Sequence, residues 1–286
     1  MSSSKKHFDL INRGEKGQSL ASVLFFTICR LADIPLQAAI LTPTASGLGT
    51  RLLTSLGVRT ITTHASSVIP PSLLTPLTAL TSNLPSWASH LATLSPTGTI
   101  LLLMSAGSTA KQLYWLYISQ DSFPLSAAAV VTAFNTISNT TNSLLYLALA
   151  TTSLFSHPQA TIGNITLPWS TIVGTALYIA GLAIEAGSER QRAIFKSRPE
   201  NQGKVCKIGL WSYARHVNYL GYALWRGGYT MVSCGWIGGL TVGTWFAYDL
   251  SQRAAAVVDE YCANKYKQQW TQFKQEVPYK ILPGIY

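Results

Sequence analysis

The stretch GLWSYARHVNYLG, from Gly209 to Gly221, organises this chain together with a second stretch from Asp259 to Tyr286, which ends with VPYKILPGIY. Both stretches are dense in polar and aromatic residues. Between them lies a hydrophobic run from Tyr219 to Asp249, whose two short arms flank the turn residues Ser233-Cys234-Gly235. This pattern predicts a tight helical hairpin in a membrane. We expect the two polar stretches to build a site at the membrane face beside it.

The composition indicates a membrane protein. Hydrophobic residues make up 48% of the 286 residues and charged residues only 11%, whereas soluble domains carry about 25% charged residues. Stretches of roughly 20 apolar residues can span a bilayer. We predict an all-α polytopic membrane protein with about six transmembrane helices and a cytosolic, C-terminal cofactor-binding segment. Besides the hairpin, the candidate spans are Leu20 to Leu41, Thr99 to Ile118, Leu125 to Phe155 and Leu167 to Gly187, and Ile61 to Leu80 is a candidate for one or two broken or re-entrant helices.

The distribution of basic residues predicts the topology. The net charge is +10, and 13 of the 21 Lys and Arg residues lie from Arg190 onward, while Lys111 is the single one between Thr60 and Glu189. A positive-inside bias explains this asymmetry without nucleic acid as a partner, and it places both termini in the cytosol. We divide the chain into a cytosolic arm (1–18), a transmembrane body (19–188) and a cofactor-binding region with its membrane hairpin (189–286).

Polar residues inside the predicted spans fall into two groups. Arg30 and Asp33 are three residues apart on one helical face, which predicts an intrahelical ion pair. Asn135, Asn139 and Asn142 also share one face of a helix. They either form hydrogen bonds between helices or line a cavity, and the sequence does not choose between these two interpretations.

Several common site types are not indicated. The four cysteines, Cys29, Cys206, Cys234 and Cys262, have no CxxC spacing, so we expect free thiols and neither a disulfide framework nor a metal site. The chain also shows no P-loop, HExxH or GxSxG pattern, and no GxGxxG follows a strand. Soluble nucleotide-binding architectures are therefore not expected.

The segment from Glu189 to Arg215 carries seven Lys and Arg residues. Near a bilayer they would hold either anionic lipid or a polyanionic cofactor, because Arg binds phosphate in a bidentate way. Trp211 and Tyr213 add flat faces for a cofactor ring. His216 ordinarily titrates near neutral pH, which favours a functional role for it.

The two stretches resemble a known family of membrane reductases. GLW at Gly209 followed by RHVNYLG from Arg215 resembles the "GLW…RHPNYxGE" motif of the enzymes that include fungal sterol C-14 and C-24 reductases, the lamin B receptor and the steroid 5-alpha-reductases. The ending resembles the close of the sterol reductase branch. Isoprenylcysteine and phospholipid methyltransferases are similar in the first motif but not in the ending. The matching residues of the ending are Cys262, Lys265-Tyr266, Trp270 and Val277 to Tyr286.

This resemblance implies an NADPH-dependent membrane oxidoreductase that acts on a C=C bond of a sterol or related hydrophobic lipid. It implies that NADPH binds from the cytosolic side of the endoplasmic reticulum membrane, and that an acidic or phenolic group protonates the second carbon. Our candidates for that group are Tyr219 and Asp259. The candidate cofactor-binding residues are Lys196, Trp211, Tyr213, Arg215, His216, Asn218, Arg253, Lys265, Tyr266 and Trp270.

The chain departs from the motif at several positions. An Arg-Asp pair that precedes the Cys in the family falls on Val257 and Val258, and Arg253 is a possible substitute for its cation. Asp259-Glu260 lies one position later, about 100° around a helix. The remaining departures are Val217 for Pro, Tyr222 for an acidic residue, Lys267 for Gly and Phe273 for Tyr.

Three functions therefore stay open. The first is the reductase, supported by the closing motif and the basic segment. The second is a methyltransferase that uses S-adenosylmethionine on a lipid or isoprenylcysteine, a cofactor without phosphates. The third is a lipid-binding relative that has lost its chemistry, for which the altered motif positions argue.

Overall fold

We obtained a computed structural model of the chain, which describes residues 12–42, 44–45, 47–58, 60, 94–119, 121–150 and 158–285. The stretch from Ile61 to Leu80, predicted as broken helices, lies outside these residues. The described part is mostly helical, which confirms the all-α class. Its α-helices are α1 (Leu20–Leu41), α2 (Leu48–Ser55), α3 (Pro96–Ser119), α4 (Leu125–Leu149), α5 (Trp169–Ser197), α6 (Val217–Asp249), α7 (Ala255–Tyr266) and α8 (Gln268–Glu276).

Short irregular helices and strands complete the fold. A π-helical turn, Leu250–Ala254, joins α6 to α7, and 3-10 turns occupy Pro199–Asn201 and Gly209–Ser212. Strand β1 (Asn12–Lys16) pairs antiparallel with β2 (Asp121–Ser122). Strands β3 (Gln159–Ile162) and β4 (Ile165–Pro168) form an antiparallel hairpin.

Helices α1 and α5 are long and apolar enough to cross a bilayer. Helix α1 begins where the side chain of Ser19 accepts a hydrogen bond from the backbone N–H of Ser22, a standard N-cap. It has the predicted bounds and continues through Pro35. Helix α5 continues ten residues beyond its predicted end at Gly187, so one helix includes both the predicted span and the start of the basic segment.

Glycines bring α5 and α6 into close contact. A Cβ atom on Gly174 would lie 2.7 Å from the carbonyl oxygen of Gly228, and one on Gly181 would lie 2.6 Å from that of Gly221. Any larger residue at these points would push the helices apart. Small residues at such contacts are typical of helix packing in membranes.

The predicted hairpin is confirmed within α6. Cys234 (φ −142°, ψ 20°) and Gly235 (φ 83°, ψ −170°) leave the helical conformation, and the positive φ at Gly235 favours glycine. The two arms then run side by side, since a Cβ on Gly227 would lie 2.9 Å from the Cα of Gly243. The turn thus reverses the chain and returns it to the side where α6 began.

A buried polar network holds α1, α3 and α4 together. Arg30 and Asp33 form the predicted ion pair at 3.2 Å, with both side chains fully buried. The Asp33 carboxylate also accepts hydrogen bonds from Gln37 Nε2 (2.9 Å), Asn139 Nδ2 (2.7 Å) and Ser105 Oγ (3.3 Å). Four donors on three helices therefore surround one carboxylate.

The three asparagines Asn135, Asn139 and Asn142 combine the two predicted roles, hydrogen bonding between helices and lining a cavity. Asn139 belongs to the Asp33 network, and Asn142 Oδ1 accepts a hydrogen bond from Ser233 Oγ on α6 at 2.7 Å. Both therefore join helices. Asn135 also joins helices, but in addition it lines a cavity. All four cysteines are free thiols.

Candidate functional site

The two motifs of the sequence meet in the fold. The backbone N–H groups of Arg215 and His216 donate to the carbonyl oxygens of Tyr279 (3.0 Å) and Lys280 (2.8 Å). The guanidinium of Arg215 reinforces this contact, because its Nη1 donates to the carbonyl oxygens of Val277 (2.6 Å) and Pro278 (2.8 Å). The closing segment is thereby fixed against the start of α6.

A cavity of about 1410 Å³ lies among helices α1 and α3 to α8 and the loop that precedes α6. Ten of the twelve site residues predicted from the sequence line it, so the fold brings together residues from Lys196 to Trp270. These ten are Lys196, Trp211, Arg215, His216, Asn218, Tyr219, Arg253, Lys265, Tyr266 and Trp270.

The other two predicted residues, Tyr213 and Asp259, are not among the lining residues. Tyr213 is 62% exposed on the outer surface. Asp259 accepts hydrogen bonds from Trp270 Nε1 (2.8 Å) and Lys274 Nζ (3.2 Å). Asp259 therefore lies behind the cavity lining, where it orients the indole of Trp270, a residue of that lining.

One wall of the cavity is basic. Arg190, Arg192 and Lys196 come from the last turns of α5, and Arg215 comes from the loop before α6. Within the described residues, none of these four cations has a carboxylate oxygen within 4 Å. We call these four residues the basic wall.

Neutral groups orient two of these cations. Lys196 Nζ donates to the Tyr266 hydroxyl at 2.9 Å and to a backbone carbonyl. The guanidinium of Arg192 lies 5.1 Å from the ring centre of Trp211. Trp211 is itself held by a hydrogen bond from its Nε1 to the carbonyl oxygen of Ser188 (2.8 Å). The wall thus keeps its positive charge while its side chains are held in place.

Flat rings adjoin the basic wall. The rings of His216 and Tyr219 stack with centres 5.2 Å apart and planes 8° from parallel. His216 is 4% exposed, and this burial, followed by the charge of Arg215, lowers its pKa to about 4. The expectation that His216 titrates near neutral pH is therefore wrong, and at pH 7 its imidazole is neutral.

Arg253 differs from the basic wall because it is paired. Its Nε and Nη2 atoms donate to the two carboxylate oxygens of Asp249 at 3.0 and 2.6 Å, one turn earlier. Both residues line the cavity. The chain therefore carries an Arg–Asp pair here, in and beside the π-helical turn, whereas Val257 and Val258 stand at the positions of the family's pair.

A buried charge cluster in the cavity wall was not predicted from the sequence. Lys111 on α3 forms an ion pair with Glu185 on α5, and its Nζ lies 4.0 Å from Glu189 Oε2. Trp225 Nε1 donates to Glu185 Oε2 at 2.6 Å. The signal was present, since Lys111 stands alone in a hydrophobic helix, and a charge in such a segment is usually paired.

The other end of the cavity is aromatic and apolar. Phe134, Tyr222, Trp245 and Phe246 line it, and the rings of Tyr222 and Phe246 pack edge-on with centres 5.3 Å apart. The cavity lining therefore combines a group of cations with a group of aromatic rings. Such a cavity would suit two ligands bound side by side, one charged and one apolar.

Residues 125–277 match the model of a family described as proteins of unknown function, DUF1295. The chain belongs to this family. It is 34% identical over 168 residues to the "Probable O-methyltransferase ustE" of Ustilaginoidea virens, a match that covers 58% of each chain. It is also 27% identical over 138 residues to the Delta(14)-sterol reductase of Arabidopsis thaliana, with 43% of this chain and 36% of the relative covered.

A third relative is also named as a sterol reductase. The Delta(14)-sterol reductase of Methylotuvimicrobium alcaliphilum is 29% identical over 140 residues, which cover 41% of this chain and 31% of the relative. The chain therefore spans between 31% and 58% of the length of these three relatives. The similarity to sterol reductases that the two motifs predicted is confirmed.

One departure from the reductase motif has a visible structural consequence. Lys267, which stands at the motif's Gly, links α7 to α8 with φ 50° and ψ −119°. Among the described residues it is the single non-glycine residue with positive φ. A glycine adopts this conformation at little cost, so the geometry explains the motif's residue and shows that Lys267 is strained.

Proposed function

We propose that this member of DUF1295 is a membrane-embedded reductase that uses NADPH to reduce a C=C bond in a sterol or a related lipid. The observation that carries the proposal is the basic wall, whose cations line the same cavity as the aromatic residues Phe134, Tyr222, Trp245 and Phe246. Similarity to several Delta(14)-sterol reductases supports the same reaction class.

The residues present fit the charge of NADPH. This cofactor carries a 2′-phosphate and a pyrophosphate, and guanidinium groups bind phosphate through paired hydrogen bonds. Arg190 and Arg192 offer such donors near the end of α5, and Lys196, one turn further on, adds an ammonium charge. S-adenosylmethionine has no phosphate, and its sulfonium is positive, so the basic wall would not favour it.

The chemistry then divides between cofactor and protein. When bound, NADPH supplies a hydride to one carbon of the substrate's double bond. The basic wall would hold the phosphates, while Trp211 and the stacked rings of His216 and Tyr219 would offer flat faces to the cofactor's rings. The Tyr219 hydroxyl, which lines the cavity, is our candidate to donate the proton that the second carbon requires.

The membrane arrangement is part of the proposal. We propose about six transmembrane helices, with both termini on the cytosolic side of the endoplasmic reticulum membrane. In this arrangement residues 189–286 bind the cofactor from the cytosol, and the aromatic end of the cavity receives the lipid. The exposed turn at Asn164, between β3 and β4, would then lie in the lumen as part of a glycosylation sequon.

A methyltransferase is the second candidate. The observation in its favour is the 34% identity to a protein named as a probable O-methyltransferase. The two candidates differ in the charge of their cofactors, so cofactor binding discriminates between them without a known substrate.

The first experiment is thermal unfolding of the purified protein in lipid nanodiscs with NADPH, NADH or S-adenosylmethionine. A ligand that binds only the folded protein stabilises it by RT ln(1 + [L]/Kd). We expect a rise in Tm with NADPH and no rise with S-adenosylmethionine. A rise with S-adenosylmethionine alone would replace the reductase by the methyltransferase, and no rise with any of the three would favour the inactive relative.

A pair of variants tests where NADPH binds. Lys196→Gln removes a cation of the basic wall, and we expect NADPH to bind roughly tenfold more weakly, since a charge-assisted hydrogen bond contributes about 1.5–3 kcal/mol. Arg198→Gln is the matched control, because Arg198 is an exposed cation two residues away that does not line the cavity. Calorimetric dissociation constants that change equally in both variants would place NADPH elsewhere.

A further inference from the structure

Arg226 is a buried cation without an acidic partner. It lies in the first arm of α6 and is 2% exposed. Its Nε donates to the Tyr222 hydroxyl (3.1 Å), its Nη1 to Ser138 Oγ (2.9 Å) and its Nη2 to Asn135 Oδ1 (2.6 Å). All three acceptors are neutral, and no carboxylate of the described residues lies within 4 Å. By contrast, Arg30 is paired with Asp33, and Lys111 is paired with Glu185 and lies 4.0 Å from Glu189.

Aromatic rings surround this guanidinium. Its central carbon lies 4.3 Å from the ring centre of Trp225, 5.0 Å from that of Phe134 and 5.9 Å from that of Phe246. Ring faces attract a cation, which offsets part of the cost of burying it. They do not neutralise the charge, so a full positive charge remains directly behind the aromatic end of the cavity.

Tyr222 links Arg226 to the cavity through a hydrogen bond. Its side chain lines the cavity, whereas Arg226 itself does not. Because the phenolic oxygen accepts the Arg226 N–H, its own hydrogen is left to donate. A donor that is polarised by a neighbouring cation makes a stronger hydrogen bond.

A second, independent observation points to a ligand at this place. Gln112 Oε1 is buried and has no hydrogen-bond partner. Its side chain lines the same cavity, and its Nε2 donates to Asn135 Oδ1 at 2.7 Å, the atom that also binds Arg226. Buried polar atoms are nearly always paired, so Gln112 Oε1 is an acceptor without a donor in a side chain that lines the cavity.

We propose that Tyr222, positioned by Arg226, is the donor that recognises a carbonyl or phenolic oxygen on an apolar ring system bound in the cavity. Gln112 would accept a hydrogen bond from a hydroxyl of the same molecule. This oxygen site rests on the proposed function for its catalytic role. It narrows the proposed substrate to a lipid that carries an oxygen beside the aromatic residues of the cavity. Tyr222 stands where the reductase motif has an acid, so at this position the chain presents a donor in place of an acceptor.

The test uses equilenin, a steroidal naphthol whose fluorescence differs between its neutral and ionised forms. We expect the parent protein in nanodiscs to bind equilenin and to raise its ionised fraction at a given pH. Tyr222→Phe should weaken binding roughly tenfold or more, because it removes a charge-assisted hydrogen bond, and the bound emission should shift to the neutral form. Equal affinity and emission in Tyr222→Phe would overturn the proposal.

Arg226 is tested as a positioning residue through the same emission. Arg226→Lys keeps the charge but not the planar fork that holds three acceptors, so we expect weaker binding and a reduced ionised fraction. If bound equilenin is as ionised in Arg226→Lys as in the parent, Arg226 does not act through Tyr222. Should Arg226→Lys fail to fold, Tyr222→Phe decides alone.

Two controls separate this proposal from the reductase. Tyr248→Phe removes an exposed phenol from the second arm of α6 and should leave equilenin binding unchanged. The NADPH-induced rise in Tm is measured on the same samples and should persist in Tyr222→Phe. An NADPH effect without a Tyr222 effect would reject only the oxygen site, and a Tyr222 effect without an NADPH effect would reject only the reductase.

Discussion

The Asp33 network buries its charges completely, whereas the basic wall presents its charges to a cavity, with Arg190 and Arg192 exposed. In the network, the carboxylate of Asp33 accepts hydrogen bonds from four side chains, one of them the cation Arg30. In the basic wall, Arg192 and Lys196 face a cavity, and no carboxylate of the described residues pairs with them.

This difference separates a structural role from a functional one. The carboxylate of Asp33 already accepts four hydrogen bonds and neutralises Arg30, so the pair has a structural role, and loss of one partner leaves a lone charge in a poorly solvating interior. Cations that are oriented by neutral groups, as Lys196 is by Tyr266, keep their charge available. The network should therefore respond to mutation in stability, and the basic wall in binding.

The largest expected effect is on the network. Asp33→Ala leaves Arg30 buried without its partner, and we expect the free energy of unfolding to fall by about 3–5 kcal/mol. Denaturant titration in mixed micelles measures this loss. The double variant Arg30→Met with Asp33→Leu should be less destabilised than Asp33→Ala, because it removes both charges. Equal losses in the two variants would mean that the ion pair is not the source of the effect.

The second largest effect is the pH dependence of stability that we expect from His216, which lines the cavity. The folded-state pKa of His216 is about 4 and lies below its ordinary value of 6.5. Below pH 6.5 the unfolded chain therefore binds a proton that the folded protein does not. The stability contributed by the neutral imidazole is complete above pH 6.5 and is lost as the pH falls toward 4, by roughly 3 kcal/mol at most.

Thermal unfolding between pH 7 and pH 4 checks this expectation. The Tm of the parent should fall more steeply over this window than that of His216→Gln, which has no titrating group at the position. Parallel curves for the two proteins would show that His216 is accessible to protons in the folded state, and that it belongs functionally with the basic wall.

The smallest effect is expected at Arg253, which lines the cavity but is already paired with Asp249. Its side chain is 59% exposed, and exposed pairs of this kind contribute up to about 1 kcal/mol. We expect Arg253→Gln to change both Tm and the affinity for NADPH only slightly, by less than Lys196→Gln changes the affinity. A larger loss of NADPH binding in Arg253→Gln would mean that Asp249 releases Arg253 to the cofactor.

Local patterns in the sequence were sufficient for α1, for the hairpin within α6 and for the ion pair within α1. The run from Leu20 to Leu41 predicted α1 with its observed ends, and the spacing of Arg30 and Asp33 predicted their ion pair. Ser233-Cys234-Gly235 predicted the hairpin, because only a short break with a glycine reverses a chain so tightly. These features depend on residues a few positions apart, so the sequence contains all the information they need.

Tertiary packing alone decided which distant side chains meet. Lys111 pairs with Glu185, 74 residues away, and Arg226 bonds to Asn135, 91 residues away. Packing also places Asp259 behind Trp270, outside the cavity lining. It buries His216, and this burial lowers the pKa of the imidazole. Such pairings depend on how each helix is rotated about its axis and shifted along its neighbours. Close glycine contacts, such as that of Gly181 with Gly221, determine both. The sequence determined which faces are polar, and the packing of those faces determined which of them became a core and which a cavity.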